Sequence, residues 1–545
     1  MKKFILLCTF CWGMLVPGAR ACTSFLAGRN ATIDGSTFIT YAADSHTLYG
    51  ALKFIPAARH PKNSTMEIRE WDTNKLLGHI PQVEYTYKVV GNMNEHQLSI
   101  TESTWGGRPE LVDTTGIIDY GSLMYIALQR AKTAREAITV ITDLVSEYGY
   151  YSSGESFSIA DPEEVWIMEM IGKGPQNQGA VWVAVRIPDD CIAAHANQSR
   201  IHKFPLDDKE NCLYSPDVIS FAREQGYFNG LNKDFSFADA YAPADFGALR
   251  GCEARVWSFY NRFNSSMGKY LSYLNGKSKE YLPLYIKPDK KLSVQDMKDA
   301  MRDHFEGTPF DMTQDVGAGP FKCPYRFRPM TFKVDSVEYT NERAVATQQT
   351  AFTLVAQMRS WLPNAIGGVL WFGVDDTNTC VYVPLYACLN EVPECYSELN
   401  GSMYDLSWTS AFWIHNWVAN MAYSRYDQMI EDIRPVQKDI ETTFNVQQPV
   451  IEKVANDLYR NDPVAAIRFL NAYSVAQAQQ TTVQWKKLGE FLLVKYLDGN
   501  RKKEKGGHFL ENGYGLPADP DFPGYSEEYY RAVAKDAGDR LKVAF

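Results

Sequence analysis

Short runs of apolar, β-branched and aromatic residues, separated by turn residues, fill much of the N-terminal part of the chain. The first two runs, at residues 22–27 and 36–41, flank Asp34-Gly35 and predict an antiparallel hairpin. If the turn centres near residues 33 and 34, the numbers of paired residues sum to about 67. Asp44 then returns beside Cys22, so the pattern predicts a carboxylate next to this cysteine.

Further strands are predicted from similar runs at residues 85–93, 97–104, 156–161, 164–170, 180–187, 191–198, 367–374 and 380–387. Apolar residues at helical spacing predict a helix over residues 131–149, and helical patterns replace strands from about residue 407 onward. The clearest late helices cover residues 450–458 and 463–497, and Asp462-Pro463 opens the second of them. The pattern therefore predicts an α+β body, rich in strands, with a helical C-terminal region.

The first 21 residues have the three parts of a secretory signal peptide. Lysines at positions 2 and 3 form the charged start, residues 4–16 are apolar, and Ala19-Arg20-Ala21 supplies the small-x-small cleavage pattern. No later stretch reaches the roughly 20 apolar residues that a helical membrane span needs. We therefore expect an exported protein, periplasmic or extracellular, that begins at Cys22 after cleavage and has no membrane span.

Composition and missing motifs exclude several function classes. The net charge of −10 argues against nucleic acid and anionic membranes as partners. The nine histidines form no H-E-x-x-H motif, so a metal site is not expected. The chain also has no G-x-S-x-G elbow, no phosphate-binding loop and no dinucleotide fingerprint. These absences leave room for an enzyme that needs no cofactor.

Cys22 has three interpretations: a lipid anchor, half of a disulfide, or a nucleophile that cleavage creates. Bacterial lipoprotein signals usually have a branched apolar residue three positions before the cysteine, where this chain has Ala19, and Arg20 intervenes. Export favours disulfides among the other mature cysteines, and several of them are expected to pair. These cysteines are Cys191, Cys212, Cys252, Cys323, Cys380, Cys388 and Cys395.

The nucleophile interpretation has a specific chemical basis. Cleavage after Ala21 gives Cys22 a free α-amine, whose unperturbed pKa of roughly 7.7–8.0 is close to that of a thiol at about 8.5. This amine can take the thiol proton and later deliver it to the leaving group. Nucleophile and base then belong to one residue, and a precursor that retains Ala21 is expected to be inert.

The stretch "ACTSFLAGRNATIDGSTFITYAADS" resembles the start of the secreted dipeptidase A family. These are cysteine-type N-terminal nucleophile (Ntn) hydrolases related to choloylglycine hydrolases. Further matches follow in order: "GNMNEHQLSITEST", "GESFSIADPEEVWIMEM", "AHANQSRI", "MRDHFEGTPFDMT" and "IGGVLWFGVDDTNTCVYVPLY". The resemblance implies a four-layer αββα Ntn fold over residues 22–400 and a mainly helical region, residues 401–545, packed on it. It also implies hydrolysis of dipeptides without a cofactor, and a homo-oligomer is left open.

The resemblance also implies roles for residues at matching positions. Cys22 matches the nucleophile, and Asp44 matches the acid that orients its amine by a charge-assisted hydrogen bond. Asn197 resembles the asparagine whose amide donates to the oxyanion. Arg255 resembles the arginine that supports the nucleophile in related amidases.

Three further positions concern the substrate. Glu102 and Thr104 fall where related enzymes have a second oxyanion or substrate residue, and a glutamate there is also suited to hold a substrate ammonium. Many relatives have an arginine at the position of Tyr41 and an acid at that of Ala43. Because both are replaced here, stabilisation of the thiolate by an arginine three residues before Asp44 is not supported. We expect Arg255 to stabilise the thiolate instead.

Two other functions are left open by the sequence. A different Ntn amidase, acting on acyl-amino acids or bile-salt-like amides, would use the same residues. A non-enzymatic exported lipoprotein would instead keep Cys22 acylated. Turnover of dipeptides with a free amine distinguishes a dipeptidase from the other Ntn amidase. A diacylglycerol mass on the N-terminal peptide identifies the lipoprotein.

Overall fold

The computed structural model describes residues 22–543, and the predicted signal peptide at residues 1–21 lies outside them. Within this part of the chain, most strands belong to two antiparallel sheets, called sheet A and sheet B below. Sheet A has seven strands in the order Tyr285–Ile286, Ile192–His195, Ser24–Ala27, Thr37–Asp44, Thr350–Met358, Val369–Val374 and Val383–Tyr386. Sheet B has eight in the order Cys212–Tyr214, Ala180–Arg186, Val165–Gly172, Gly154–Ala160, Ser99–Trp105, Met93–Asn94, Val89–Val90 and Phe54–Ile55.

Short hairpins and helices complete the described chain. The hairpins pair Ala58–Arg59 with Tyr85–Thr86, Thr65–Arg69 with Leu76–Pro81, Thr331–Val334 with Val337–Thr340, and Glu504–Lys505 with His508–Phe509. The helices of eight or more residues are Tyr120–Arg130, Ala134–Tyr148, Ala254–Phe263, Val294–Met301, Ala411–Ser424, Tyr426–Tyr459, Pro463–Lys495 and Glu527–Ala537. Shorter α- and π-helical segments are Val218–Glu224, Phe237–Tyr241, Phe246–Ala248, Leu249–Glu253, Leu271–Leu274 and Asn364–Gly367. Single 3₁₀ turns are Arg29–Ala31, Pro109–Leu111, Asn232–Asp234, Ser265–Tyr270, Met312–Gln314, Val316–Ala318, Glu394–Tyr396, Leu497–Gly499 and Gly538–Leu541.

The two sheets pack against each other, and both faces of sheet B are buried. The strand Val165–Gly172 illustrates this arrangement. Trp166 and Met168 pack with the helices outside sheet B, whereas Val165 and Ile167 belong to the core that sheet B shares with sheet A. Because side chains on both faces are buried, the strand has a continuous apolar sequence without polar alternation.

Helices cover the outer face of each sheet. Tyr120–Arg130 and Ala134–Tyr148 pack on sheet B. On sheet A, Phe25 stacks on Phe259 of the helix Ala254–Phe263, with ring centroids 4.1 Å apart. The C-terminal helices pack farther along sheet A, against its last strands. The Cys22 end of the first strand is thus enclosed by packed elements on both sides.

The first hairpin forms as predicted, but its register was predicted wrongly by two residues. Ser24–Ala27 pairs with Thr37–Asp44 so that Leu26 lies opposite Ile39, and the paired numbers sum to 65. The connection is longer than a two-residue turn because it contains the 3₁₀ turn Arg29–Ala31. Asp44 remains at the end of the second strand, close to the level of Cys22.

The predicted strand at residues 85–93 is wrong as a single element. It is divided into Tyr85–Thr86, Val89–Val90 and the start of Met93–Asn94. Val90 pairs with Met93 across Gly91-Asn92, and Gly91 has a φ of +55°. Glycine adopts positive φ readily, so Gly-Asn forms a hairpin turn here instead of continuing the strand.

The first late helix is much longer than predicted, and the second ends two residues earlier than predicted. Residues 450–458 lie inside Tyr426–Tyr459, and Pro463–Lys495 forms where the sequence predicts a helix over 463–497. Asp462 caps the second helix, since its carboxylate accepts a hydrogen bond from the Ala465 N–H at 3.0 Å. The mixed helix-and-sheet body with a helical C-terminal region is confirmed, whereas the division at residue 400 stays a prediction. Among the described helices, none combines the length and apolar character that a bilayer crossing requires.

The cysteines differ from the expectation of pairing. All eight that lie in residues 22–543 are free thiols, so the expected disulfides are not formed in this part of the chain. Cys22 is one of these free thiols, which leaves the anchor and the nucleophile interpretations for it.

Candidate active site

Cys22 lies between the two sheets, just before a central strand of sheet A. That strand, Ser24–Ala27, is paired on both edges, with Ile192–His195 and Thr37–Asp44, which fixes the backbone next to Cys22. The residue is only 5% exposed, and its Sγ lies 3.4 Å from Oε1 of Glu102 in sheet B. A thiol from one sheet therefore meets a carboxyl group from the other.

Tyr41 contacts both of these groups. Its hydroxyl donates a hydrogen bond to Oε1 of Glu102 and lies 3.8 Å from Sγ of Cys22. Its ring packs edge-on against Phe352, with centroids 5.6 Å apart. Tyr41 thus brings a hydrogen-bonding hydroxyl beside the thiol and the Glu102 carboxyl group.

A second carboxyl group, Glu155, lies next to Glu102. Thr104 pairs with Glu155 across neighbouring strands of sheet B, so the side chains of Glu102 and Glu155 share a face. The Thr104 hydroxyl donates to Oε2 of Glu155 at 2.9 Å. Burial raises the pKa of Glu155 well above its usual value, and the charge of Glu102 raises it further. The closeness of the two carboxyl groups therefore opposes the ionisation of both at once.

Asn197 is held in a left-handed backbone conformation directly after strand Ile192–His195, with a φ of +58°. Its backbone N–H donates to Oγ of Ser103 at 3.2 Å, and its side-chain Nδ2 donates to the carbonyl of Thr104 at 2.6 Å. These bonds fix the side-chain amide beside the sheet B strand that carries Glu102. Asparagine adopts this left-handed conformation more readily than other non-glycine residues, which suits it to this position.

Arg255 is buried and joins Cys22 to the Asn197 loop. Its guanidinium donates to the carbonyl of Cys22 and to Oγ1 of Thr23, both at 2.7 Å. It also donates to the carbonyl of Ala196 at 3.1 Å and to Oδ1 of Asn197 at 2.9 Å. These contacts involve the Cys22 carbonyl rather than its thiol, so Arg255 joins the backbone at Cys22 to the segment that carries Asn197.

Substitution of Arg255 by lysine is expected to lower the free energy of unfolding by about 2–4 kcal/mol, because one ammonium group cannot reach acceptors on both segments. Urea unfolding measures this change. Arg69→Lys is the control, since Arg69 is exposed and its exchange is expected to cost no more than about 0.5 kcal/mol. Equal changes in the two variants would contradict the joining function of Arg255.

Asp44 is buried at the end of strand Thr37–Asp44, as the sequence predicts for a group near Cys22. Its carboxylate accepts hydrogen bonds from the Arg343 guanidinium and from Oγ1 of Thr350, the latter at 2.5 Å. Burial raises the pKa of Asp44, while the charge of Arg343 acts in the opposite direction. Arg343 was not predicted, and it supplies a cation behind the acid.

The surroundings of Cys22 favour a protonated thiol. Burial raises its pKa well above the usual value, and the charges of Glu102 and Asp44 raise it further. The nearby His195 is not a suitable base, because its two ring nitrogens bond the hydroxyls of Ser103 and Ser158 at 2.6 and 2.7 Å. Burial also lowers the pKa of His195 to about 3.

Two cavities lie outside the immediate surroundings of Cys22. The larger, of about 470 Å³, is lined by charged side chains such as Arg262, Asp303 and Arg434, and it does not include the surroundings of Cys22. The smaller, of about 260 Å³, includes Phe352, which packs on Tyr41. Within residues 22–543 no group of three or more His, Cys, Asp or Glu side chains is arranged to hold a metal ion.

The structure brings all the predicted site residues into one cluster around the interface of the sheets. These residues are Cys22, Tyr41, Asp44, Glu102, Thr104, Asn197 and Arg255. Glu155 and Arg343 also belong to this cluster, although the sequence analysis did not predict them. Glu155 meets Glu102 only because two strands pair, and Arg343 meets Asp44 only from a loop that is distant in the sequence. The roles of the individual residues stay predictions.

Comparisons with known proteins give a consistent picture. The sequence profile of Peptidase family C69 matches residues 21–439. A "Probable dipeptidase" of Latilactobacillus sakei is 27% identical over 425 residues, which cover 74% of this chain and 82% of that protein. A "Probable dipeptidase" of Salmonella dublin is 27% identical over 408 residues, or 71% and 85% of the two chains. "Probable dipeptidase B" of Streptococcus pyogenes serotype M1 is 23% identical over 512 residues, or 88% and 94%.

Proposed function

Since this chain belongs to peptidase family C69, we propose that it is an exported dipeptidase whose nucleophile is the thiol of Cys22. The names of its relatives support peptide substrates. The observation that carries the proposal is the 3.4 Å distance between Sγ of Cys22 and the Glu102 carboxyl group. In a dipeptide, the ammonium nitrogen is two bonds, or about 2.5 Å, from the carbonyl carbon that is attacked. Glu102 is therefore suited to hold the ammonium while the carbonyl lies at the thiol.

The reaction begins with proton transfer within one residue. The α-amine of Cys22, freed by cleavage after Ala21, takes the thiol proton as sulfur attacks the carbonyl carbon. The side-chain amide of Asn197 and a backbone N–H stabilise the oxyanion. The raised pKa of the thiol supports this scheme, because a base is needed at the moment of attack.

Two further steps complete hydrolysis. The Cys22 ammonium returns its proton to the leaving amine, so the second amino acid departs and the first remains as a thioester on sulfur. Water, deprotonated by the same amine, then attacks the thioester carbonyl carbon. The C–S bond breaks, the first amino acid leaves with a free carboxyl group, and the Cys22 ammonium returns the proton to sulfur. Asp44, fixed by Arg343 and Thr350, is suited to hold the amine by a charge-assisted hydrogen bond throughout.

We assign the body to the four-layer αββα Ntn fold. The packing of sheet A on sheet B, with helices on the outer face of each, supports this assignment. Cys22 lies just before a central strand of sheet A. This position supports the assignment as well, because an N-terminal nucleophile must lie at the start of a strand whose first residues face the space between the sheets. Export and cleavage before Cys22 are part of the same proposal.

Cleavage before Cys22 is expected to activate the enzyme. A mature chain that begins at Cys22 should hydrolyse dipeptides, whereas a chain that retains Ala21 should be inert, because its peptide nitrogen cannot act as a base. Mass spectrometry of the N-terminal peptide identifies each form, and release of amino acids from dipeptides measures activity. Equal activity of the two forms would disprove the amine as base.

The same experiment distinguishes the alternatives. Hydrolysis of acyl-amino acids or bile-salt-like amides, without turnover of free dipeptides, would indicate a different Ntn amidase. A diacylglycerol mass on the N-terminal peptide would indicate a lipoprotein anchored at Cys22. The thiol is buried against Glu102, which argues against a lipid chain on Cys22 and against a membrane-facing position.

A further inference from the structure

A cavity of about 260 Å³ lies beside the site and has an aromatic wall. Its aromatic lining residues are Tyr49, Trp71, Tyr125 and Phe352. Trp71 stacks on Tyr125 with centroids 5.0 Å apart, so this part of the wall is held in place by ring packing. At the rim, Nζ of Lys53 lies 3.3 Å from Oε1 of Glu398. The cavity is thus apolar inside and charged at its opening.

Tyr41 and Phe352 connect the thiol to this cavity through their ring contact. The Tyr41 hydroxyl contacts Cys22 and Glu102, while the Tyr41 ring packs edge-on against Phe352 of the cavity wall. The carboxyl group proposed for the substrate ammonium and the aromatic wall are therefore neighbours.

We propose that this cavity receives the side chain of the first residue of the dipeptide and selects large apolar or aromatic residues there. This inference rests on the proposed dipeptidase function. The first α-carbon is bonded to both the ammonium and the reacting carbonyl. With these groups at Glu102 and Cys22, that carbon lies beside Tyr41, and its side chain extends along the Tyr41 ring toward Phe352.

The chemistry of the wall sets the preference. A ring or a branched aliphatic chain buries apolar area against Trp71, Tyr125 and Phe352, which glycine cannot do. The ammonium is held by Glu102 in every dipeptide, so the cavity adds selectivity for the first side chain without changing the reaction. The mature enzyme is expected to cleave Phe-Gly and Leu-Gly with a kcat/KM at least about tenfold above that for Gly-Gly. Gly-Phe should resemble Gly-Gly.

Filling the cavity tests the assignment. Ala51→Leu and Ser402→Leu each place a larger side chain on the cavity wall. Both are expected to lower the ratio of kcat/KM for Phe-Gly to that for Gly-Gly by about tenfold, because only the larger substrate needs the space. Ala57→Leu, an exposed change outside the cavity, is the matched control and should leave both substrates unchanged.

Each outcome has a clear meaning. Equal losses for Phe-Gly and Gly-Gly, or a preference that follows the second residue, would overturn the assignment while leaving the dipeptidase proposal in place. No selectivity in the unmodified enzyme would overturn it as well, even if both filled variants fail to fold. Failure of the mature enzyme to cleave any dipeptide would instead refute the proposed function, and the cavity assignment with it.

Discussion

Exchange of Cys22 for serine in the mature chain is expected to reduce dipeptide hydrolysis by at least about a thousandfold. The change replaces one sulfur by oxygen and keeps the α-amine, so it removes only the nucleophile. A hydroxyl has a much higher pKa than a thiol, and the carboxylates of Glu102 and Asp44 oppose any further negative charge at this position. The loss should appear in kcat, because bond formation by the side chain occurs only on the way to the transition state.

Cys323→Ser is the matched control for this exchange. Cys323 is a half-buried free thiol whose Sγ contacts the carbonyl of Tyr325, away from the site. Its substitution should keep hydrolysis within about twofold, and both variants should retain the thermal midpoint of the parent. A Cys22→Ser enzyme with more than a tenth of the parent activity would contradict thiol catalysis.

The first hairpin shows how much of the site can be read from local sequence. The two strands and the turn residues predict that Asp44 returns near Cys22, and it does, although the register differs by two residues. The shift arises from the turn Arg29–Ala31, whose hydrogen bonds involve Asp189 in a distant part of the chain. Local patterns cannot contain that information.

The strand Thr350–Met358 was missed for a different reason. It lies in the middle of sheet A, and all nine of its residues are buried. A continuous buried run lacks the alternation that identifies a half-exposed strand, and its length and composition also suit a helix. This strand brings Thr350 to Asp44, so missing it also hid part of the support for that acid.

Glu155 and Arg343 belong to the site only through long-range structure. Glu155 meets Glu102 because the strands Ser99–Trp105 and Gly154–Ala160 pair in one particular register. Arg343 reaches Asp44 from a segment without regular structure. Neither contact leaves a motif in the sequence, whereas Cys22 and Asn197 lie in segments that resemble the family, and the structure places both in the same cluster.

Glu102→Gln is expected to lower kcat/KM for dipeptides by about 10- to 100-fold, mainly by raising KM, because the amide cannot form a charge-assisted bond with the substrate ammonium. The effect depends on that ammonium. The ratio of kcat/KM for a dipeptide to that for its N-acetyl counterpart should therefore fall in the variant. Glu163→Gln, at an exposed position, is the control and should leave this ratio unchanged.

The same variant should make the Cys22 thiol more reactive. The charge of Glu102 raises the pKa of Cys22, so its removal lowers that pKa and increases the thiolate fraction at any given pH. Alkylation of Cys22 by iodoacetamide, followed by peptide mass spectrometry, should then reach its half-maximal rate at a lower pH than in the parent. General disruption of the site would not combine faster alkylation with slower hydrolysis. A Glu102→Gln enzyme with an unchanged alkylation profile, or with equal losses for free and N-acetylated dipeptides, would show that Glu102 neither acts on the thiol nor holds the substrate ammonium.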